Sequence, residues 1–377
     1  MSDQYHLISL EKFVRKNKII TRNHFKREQD YVEMIIYLID NKEDILSSHD
    51  HHFRWTNENG YQETIKYLIE NKANINADDD YCVRHASTYG DFDTVKCLIE
   101  NKADIHARNN YSVRSASEEG HFEIVKYLAE NKADIHAEND HAVRLASLEG
   151  HLEIVKYLVE NKADINAGRD ACVIVACENG HSEIVKYLVE NKADIHIRYD
   201  LCVGLASEYG HIEVVKYLVE NKADINAHNY KAIKSSSENN HLETLKYLVD
   251  NKADIHTQND YPVRWASMKG NFEIVKYLVE NKADIHAQDN CAIRWASMKG
   301  QIEIVKYLAE NKADISVISR KYINIVCGLK IINFWRNQRR RKRLIRIRNI
   351  LIPIYYSPSM KGGYFARKDL EAYVNTL

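Results

Sequence analysis

The sequence predicts an all-α solenoid of helix-turn-helix repeats, each thirty residues long. Nearly the same residues return at that interval, from Ile35-Ile36-Tyr37-Leu38 to Val305-Lys306-Tyr307-Leu308. Ten blocks fill residues 21–320 without an insertion or deletion. One block is too short to cover its own apolar face, whereas stacked blocks bury a continuous core. The periodicity therefore predicts one elongated array.

Each copy contains two helical patterns and a polar connector. The second pattern has the i, i+3, i+4, i+7 spacing of a helix with one buried face. In the copy at 261–290 its apolar residues are Phe272, Ile274, Val275, Leu278 and Val279. Ahead of it, Val263 and Ala266 followed by Gly270 predict a shorter first helix. The turn-rich residues 282–290 predict an extended connector to the next pair.

Two stretches of each copy resemble the ankyrin repeat family, whose period is usually 33 and whose first helix begins T-P-L-H-x-A. They are Tyr261-Pro262-Val263-Arg264-Trp265-Ala266 and the segment from Gly150 to Leu158. The resemblance covers about Thr21 to Ile350. It implies a concave groove, lined by first helices, that binds other proteins. The missing three residues lie in the connector, so we expect stubby fingers where the family has hairpins.

Two further departures from that family concern single positions. Arg replaces the family's His in six copies, at Arg54, Arg84, Arg114, Arg144, Arg264 and Arg294. We expect this Arg to donate to connector carbonyls of an adjacent copy. Lys replaces the Gly that usually ends the second helix, as in Asn281-Lys282. Because Asn tolerates a left-handed conformation better than Lys, we expect Asn to take the cap.

Charge and composition divide the chain into four parts. Residues 1–20 are predicted to cap the array, 21–320 hold ten repeats, 321–350 form a degenerate capping repeat with a basic helix, and 351–377 are a tail. Residues 1–320 carry 40 basic and 52 acidic side chains, while 321–350 carry ten basic side chains and no acid. We expect neither a signal peptide nor a membrane span, since no apolar run is long enough.

Seven scattered cysteines indicate a reducing, intracellular setting. Cys172 and Cys202 hold the same place in adjacent copies, about one helix layer apart, which is too far for a disulfide. A column of histidines is predicted to be structural, because members about 10 Å apart cannot share one metal. That column is His106, His136, His196, His256 and His286. A second column, His121, His151, His181, His211 and His241, stands at the turn between the helices.

The sequence contains no GxxxxGK[ST], HExxH or GxSxG motif, so we expect no enzyme and no cofactor. Catalysis needs one unique constellation, whereas the polar residues here recur in copy after copy. We also expect a column of tyrosines, for example Tyr127 and Tyr157, to pack between copies with the hydroxyl toward water. The copy at 231–260 should be the weakest, since Ser236 replaces a packed Ala and Asn240 replaces the turn Gly.

Functional candidates are positions that vary while their surroundings do not. The position after the Arg column holds Trp55, His85, Ser115, Leu145, Val175, Leu205, Ser235, Trp265 and Trp295. Trp and Met are enriched in interface cores, where Glu is depleted. The sequence therefore predicts partner binding at Arg264, Trp265, Met268, Lys269, Arg294, Trp295, Met298 and Lys299. Recent duplication of one copy is the alternative reading of these two identical stretches.

A basic patch is predicted at Arg336, Arg339, Arg340, Arg341, Lys342, Arg343, Arg346 and Arg348. It fits a nuclear import signal, a nucleic-acid or acidic-membrane contact, or a helix for a calmodulin-like groove. The bland alternative is a cap helix whose charge keeps the array soluble. The repeated Asn-Lys-Ala-Asp-Ile-His resembles ankyrin arrays encoded by giant viruses of amoebae, which implies a host cytoplasm or nucleus as the location.

Overall fold

A computed structural model describes residues 56–58, 60–71, 74–167, 172–321 and 323. Within these ranges the regular elements are helices, with no β-strand, which confirms the predicted all-α repeat fold. The predicted cap at 1–20, the copy at 21–50 and the tail at 351–377 lie outside them. The chain divides into two compact units, Met1–Ala253 and Asp254–Leu377. The division falls inside the copy that was predicted to be weakest.

Second helices are nine residues long and recur at the predicted interval. They are Gln62–Glu70, Phe92–Glu100, Phe122–Glu130, Leu152–Glu160, Ser182–Glu190, Ile212–Glu220, Leu242–Asp250, Phe272–Glu280 and Ile302–Glu310. Each buries one narrow face, as Ile124, Val125 and Leu128 show with exposures of 2% or less. Burying a side chain of this size contributes about 2 kcal/mol, so this face supplies much of each copy's stability.

First helices alternate with them along the chain. They are Ala77–Tyr89, Ala107–Glu118, Ala137–Glu149, Cys172–Asn179, Ile197–Tyr209, Ala227–Glu238, Thr257–Lys269 and Ala287–Met298, and a 3₁₀ turn follows at Ile315–Val317. Within each unit, first helices pack on first helices of the next copy and second helices on second helices. The two layers share a core in which Val113 and Ala116 are fully buried.

At the end of each second helix, the residue in the left-handed conformation is not the predicted Asn. Lys, not Asn, is left-handed, with φ of 72° at Lys102 and 71° at Lys282. The N–H groups of Lys102 and Ala103 donate to the carbonyls of Ile99 and Leu98 at 2.9 and 3.0 Å, which is a Schellman turn. Asn101 instead uses its side chain, donating from Nδ2 to the carbonyl of Cys97 at 2.8 Å. Asn is thus more useful one position earlier, where its side chain adds a second hydrogen bond to the Cys97 carbonyl.

The connectors are not extended as predicted. Each of seven first helices begins with three left-handed residues, for example Gln258, Asn259 and Asp260 with φ of 49°, 57° and 56°. Such residues cost about 1 to 2 kcal/mol each, so the turn needs support. Arg264 supplies it by donating from Nε and Nη2 to the carbonyls of Asn259 and Gln258, at 2.9 and 2.8 Å. Arg84 and Arg114 bond the preceding connectors in the same way, which confirms the predicted role of Arg.

The turn histidines join neighbouring copies, a role that the sequence did not reveal. His151 donates from Nε2 to the carbonyl of Glu118, 33 residues earlier, at 2.8 Å. Its ring lies against Gly120, where an added Cβ would come within 2.5 Å of the imidazole. Gly120 has a φ of +84°, so this position requires Gly both for its conformation and for space.

The connector histidines take part in a second bond between copies. His256 Nδ1 lies 2.9 Å from Asp260 Oδ1, and the same oxygen accepts the N–H of Asp284 at 2.7 Å. Asp260 is 6% exposed, and a buried carboxylate needs such donors. The histidine ring therefore bonds a side chain, and that side chain bonds the next connector's backbone. Across the residues that the structure describes, no His, Cys, Asp or Glu group forms a candidate metal site.

The structure bears on two smaller predictions, the packing of the tyrosines and the weakness at Ser236. Tyr127 and Tyr157 pack edge-on against Phe92 and Phe122 of the preceding copy, at 5.5 and 5.8 Å between ring centroids, which confirms inter-copy packing. Ser236 is fully buried, yet its hydroxyl donates to the carbonyl of Ile233 at 3.2 Å.

The six cysteines in the described part of the chain are free thiols. Cys177 hydrogen-bonds Cys202 of the following copy. Burial is the main cause that raises the pKa of Cys177 well above its ordinary value. Burial likewise raises the pKa of Cys172 to about 11. Both groups therefore stay protonated thiols at neutral pH.

Candidate functional site

The predicted tryptophans meet on successive first helices of the second unit. Trp265 and Trp295 form an edge-to-face pair with 5.4 Å between ring centroids and 73° between planes. Tyr261 stacks on Trp265 at 5.4 Å from one helical turn earlier. We call Tyr261, Trp265 and Trp295 the aromatic ladder. The ring quadrupole favours edge-to-face and offset pairs. These pairs contribute stabilising free energy beyond that of burying their apolar area.

Arg264 fixes the ladder from the side. Its guanidinium carbon lies 5.8 Å from the ring centroid of Tyr261 and 5.7 Å from that of Trp295. The same guanidinium donates to the two connector carbonyls described above, so its position is set by the backbone. A planar cation held over aromatic faces is attracted to both rings. The residue that supports the left-handed turn therefore also orders the ladder.

The two tryptophans of the ladder are only partly open to solvent. Trp265 and Trp295 are both half-buried. Each ring covers part of its neighbour. A half-buried ring pair contributes to folding while one part of its surface stays open to a partner.

The other predicted binding residues stand near the ladder on the same two helices. Met268 is half-buried, whereas Met298 is 75% exposed, which is unusual for a large apolar side chain. Lys269 and Lys299 are exposed at the ends of these helices, and Arg294 is half-buried. The face therefore combines aromatic and thioether surface with a basic rim.

Copies of the first unit present a different edge at the same helix ends. The glutamates there are Glu118, Glu119, Glu149, Glu178 and Glu208. Glu119 and Glu149 are exposed, and Glu208 pairs with Lys231 at 2.7 Å. Solvated carboxylates of this kind contribute little to an interface core.

Sequence reasoning missed Tyr261, and it did not predict that Arg264 contacts the rings of the ladder. The signal was available, because Tyr261 and Trp265 are four residues apart and so share one helix face. The basic patch from Arg336 to Arg348, together with Arg54 and Trp55, lies outside the described residues.

Among the helices of the described ranges, none has the length and apolar character needed to cross a membrane. The family model for ankyrin repeats, which spans three copies, matches residues 53–139, 83–169, 113–199, 173–259 and 236–319. No curated protein matches the sequence. The matched ranges together cover most of the chain, and the helix pairs inside them have the two-layer packing described above. The chain therefore belongs to the ankyrin repeat family.

Proposed function

We propose that the chain is a noncatalytic scaffold that binds another protein through the first helices Thr257–Lys269 and Ala287–Met298. The observation that carries this proposal is the aromatic ladder, which Arg264 holds in place beside the exposed Met298. Ankyrin repeat proteins generally serve as protein-interaction scaffolds, which supports the same function. The eight residues predicted from the sequence remain the proposed contact set, and Tyr261 joins them.

The ladder suits an interface because it is ordered before a partner arrives. Aromatic, Met and Arg side chains are enriched in the centres of interfaces, where they provide most of the binding free energy. Immobilising a free side chain on binding costs about 0.5 to 1.5 kcal/mol. Trp265 and Trp295 already restrain each other, so this cost is small for them.

The rim indicates what chemistry the partner presents. Lys269 and Lys299 are exposed at the ends of the two helices, beside the thioether of Met298. An apolar centre with a basic rim favours a partner that offers a hydrophobic side chain flanked by carboxylates. Rim charges mainly raise the association rate and the salt dependence of binding.

The test is binding of a purified partner to single-site variants of the full chain. We expect Trp265→Ala and Trp295→Ala each to weaken binding by about 2 kcal/mol or more, the scale of a central aromatic anchor. Leu145→Ala is the matched control, since Leu145 is half-buried at the same position of another copy. It should leave affinity unchanged.

Because both rings are half-buried, these variants will also lose some stability. Affinity is therefore measured per folded molecule, with the folded fraction taken from thermal unfolding of the same sample. Trp295→Phe, which keeps a ring, should recover part of the binding. If both Ala variants melt at lower temperature yet bind with unchanged affinity per folded molecule, the ladder belongs to the core only.

A second candidate function uses the basic patch. Residues 321–350 carry ten basic and no acidic side chains, so an adaptor that binds nucleic acid, an acidic membrane or a calmodulin-like groove is the alternative. Replacing Arg339, Arg340, Arg341 and Arg343 with Gln should then weaken salt-dependent binding to these partners and shift the distribution between nucleus and cytoplasm. Unchanged binding and location would exclude this function. The proposed viral origin makes a host cell the place for this test.

A further inference from the structure

A cleft in the first unit has a chemistry opposite to that of the aromatic ladder. It lies between the helical residues 56–58 and the first helix Ala77–Tyr89, with a volume of about 630 Å³. The residues that matter for its chemistry are Asn57, Glu58, Tyr81, His85, Tyr89 and Asp91. The protein-binding function proposed above uses none of them.

Three rings form one wall of the cleft. Tyr81, His85 and Tyr89 follow each other at four-residue intervals on one helix face. His85 lies between the tyrosines, with ring centroids 5.5 Å from Tyr81 and 4.4 Å from Tyr89. Tyr89 is 73% exposed, so the wall ends in an open aromatic surface. A cation placed over such rings is stabilised by their quadrupoles.

Asn57 fixes the orientation of His85 in this cleft. It is only 4% exposed, and its Nδ2 donates to the carbonyl of Cys82 at 3.3 Å and to His85 Nδ1 at 3.1 Å. Because a carbonyl can only accept, the amide orientation is fixed. Asn57 Oδ1 is then an acceptor, and it has no hydrogen-bond partner within the part of the chain that the structure describes. This oxygen is closed off from solvent, so a ligand in the cleft does not reach it.

The charged groups among the described lining residues of the cleft are the carboxylates of Glu58 and Asp91. His85 accepts through Nδ1, so its proton is on Nε2 and the ring is neutral. Burial lowers the pKa of His85, and the nearby Glu58 and Asp91 only partly oppose that shift. Gln62 Nε2 already donates to both oxygens of Asp91, at 2.7 and 2.8 Å.

Glu58 is the carboxylate with spare acceptor capacity. It is exposed, and its Oε1 accepts a hydrogen bond from the Tyr81 hydroxyl at 3.0 Å. Among the described residues that line the cleft there is no Lys or Arg, although the guanidinium of Arg84 lies 5.8 Å from the ring centroid of Tyr81. The described part of the cleft therefore offers an open aromatic face at Tyr89 and an exposed carboxylate at Glu58.

We propose that this cleft binds the side chain of an arginine from a partner polypeptide. A guanidinium is planar and cationic, stacks on aromatic faces and presents N–H donors in a rigid fork. It would pair with the Glu58 carboxylate while lying on the ring wall. An ammonium has no flat face to stack. The net charge of −12 over residues 1–320 favours the approach of a basic segment.

The test titrates the full chain, labelled with ¹³C at histidine Cε1, with the peptide acetyl-Gly-Arg-Gly-amide. The His85 signal is the one that disappears in His85→Gln. We expect saturable shifts of that signal with the arginine peptide. The citrulline analogue, which replaces the guanidinium with a neutral urea, should bind at least about tenfold more weakly, since it loses the charge-assisted bonds.

Variants locate the binding. Glu58→Gln, an exposed change with little effect on folding, should weaken the arginine peptide by about fivefold or more. Glu118→Gln makes the same change at the equivalent position two copies later and should have no effect on binding of the arginine peptide. Equal binding of the citrulline peptide, or an unchanged affinity in Glu58→Gln, would overturn the proposal. A rise in affinity after replacing Arg339, Arg340, Arg341 and Arg343 with Gln would show that this chain's own basic segment is the occupant, not a partner.

Discussion

The cleft and the aromatic ladder use the same position of the repeat for opposite chemistry. His85 and Trp265 occupy equivalent places, and each stacks on a tyrosine four residues earlier. In both regions the preceding arginine, Arg84 or Arg264, lies 5.8 Å from that tyrosine ring. The described lining around His85 adds the carboxylates of Glu58 and Asp91, whereas Trp265 packs on Trp295. The buried neighbours are the same in both regions. A side chain that points away from the core can therefore change its chemistry without changing the fold.

The buried residues that both regions share explain why this position can change without changing the fold. Val83 and Ala86 in one region, and Val263 and Ala266 in the other, are at most 1% exposed. These residues determine how adjacent first helices approach each other, and close packing there tolerates little change in volume. The position beside them is only half-buried, so selection can act on it separately.

The largest expected difference between the regions concerns their turn glycines. Gly90→Ala should destabilise by about 3 kcal/mol, because a left-handed φ of +79° and a Cβ 2.6 Å from His121 act together. The ring cannot move easily, since His121 donates to the carbonyl of Thr88 at 3.0 Å. Gly270→Ala meets only the flexible Gln301 and should cost about 1 kcal/mol. Chemical denaturation measures both, and equal losses would contradict the role of the histidine.

The next test compares the two aromatic positions. Trp265→Ala should lower stability by about 2 kcal/mol, roughly half the cost at a fully buried site, and His85→Ala by about 1 kcal/mol. In a double-mutant cycle, Trp265 and Trp295 should show a coupling of about 1 kcal/mol, as edge-to-face pairs do. Additive losses in urea unfolding would mean that the ring pair contributes no more than its buried area.

Both regions should respond alike at the end of the second helix. Lys102→Gly and Lys282→Gly, at φ of 72° and 71°, should each stabilise by about 1 kcal/mol, because Gly adopts this conformation without the steric cost of a Cβ. The midpoint of denaturation checks this. A gain in one region and not in the other would show that the repeated frame is not equivalent in the two units.

The compact units divide in the copy at 231–260. A core substitution in this copy should change its stability less than its sequence suggests. Ser236→Ala should stabilise by about 0.5 kcal/mol at most, because the buried hydroxyl already has a partner in the carbonyl of Ile233. Hydrogen exchange should still show the earliest opening in this copy. A gain well above 1 kcal/mol would mean that this hydrogen bond is not formed.

The smallest effect is the pH dependence that His85 contributes in the cleft. Burial lowers the pKa of His85, so the unfolded chain binds more protons than the folded chain as pH falls through about 6.5. The stability provided by the neutral ring is present at neutral pH and is lost below that value. Hydrogen exchange of the copy at 81–110 should report this loss between pH 7 and 5, and His85→Gln should flatten it. An unchanged profile in that variant would assign the effect to another histidine.

The sequence was sufficient to predict the repeat frame, since periodicity and buried positions follow directly from the spacing of apolar residues. The cap was predicted wrongly, because residue preference favours Asn in a left-handed turn. Two backbone hydrogen bonds place Lys102 there, and the side chain of Asn101 is better used on a carbonyl. The ladder's residues were predicted, but their mutual burial depends on how two copies approach each other.

The cleft could not be predicted from the pattern of a single copy. It joins Asn57 and Glu58 from the end of one first helix to Tyr81, His85 and Tyr89 from the next. Only the packing of neighbouring copies brings these residues together. The sequence offered one clue, since His85 is the one imidazole at a position that otherwise holds Trp, Ser, Leu or Val.

The left-handed lysines also make the local opening of each copy measurable by proteolysis. Each is exposed, from Lys102 to Lys312, yet each is folded into a turn closed by two backbone hydrogen bonds. A trypsin-like protease binds its substrate as an extended strand, so a lysine in this turn is cut only after its copy has opened. Fragments produced under brief digestion would differ in length by about thirty residues. The order in which those fragments appear would rank the copies by their local stability.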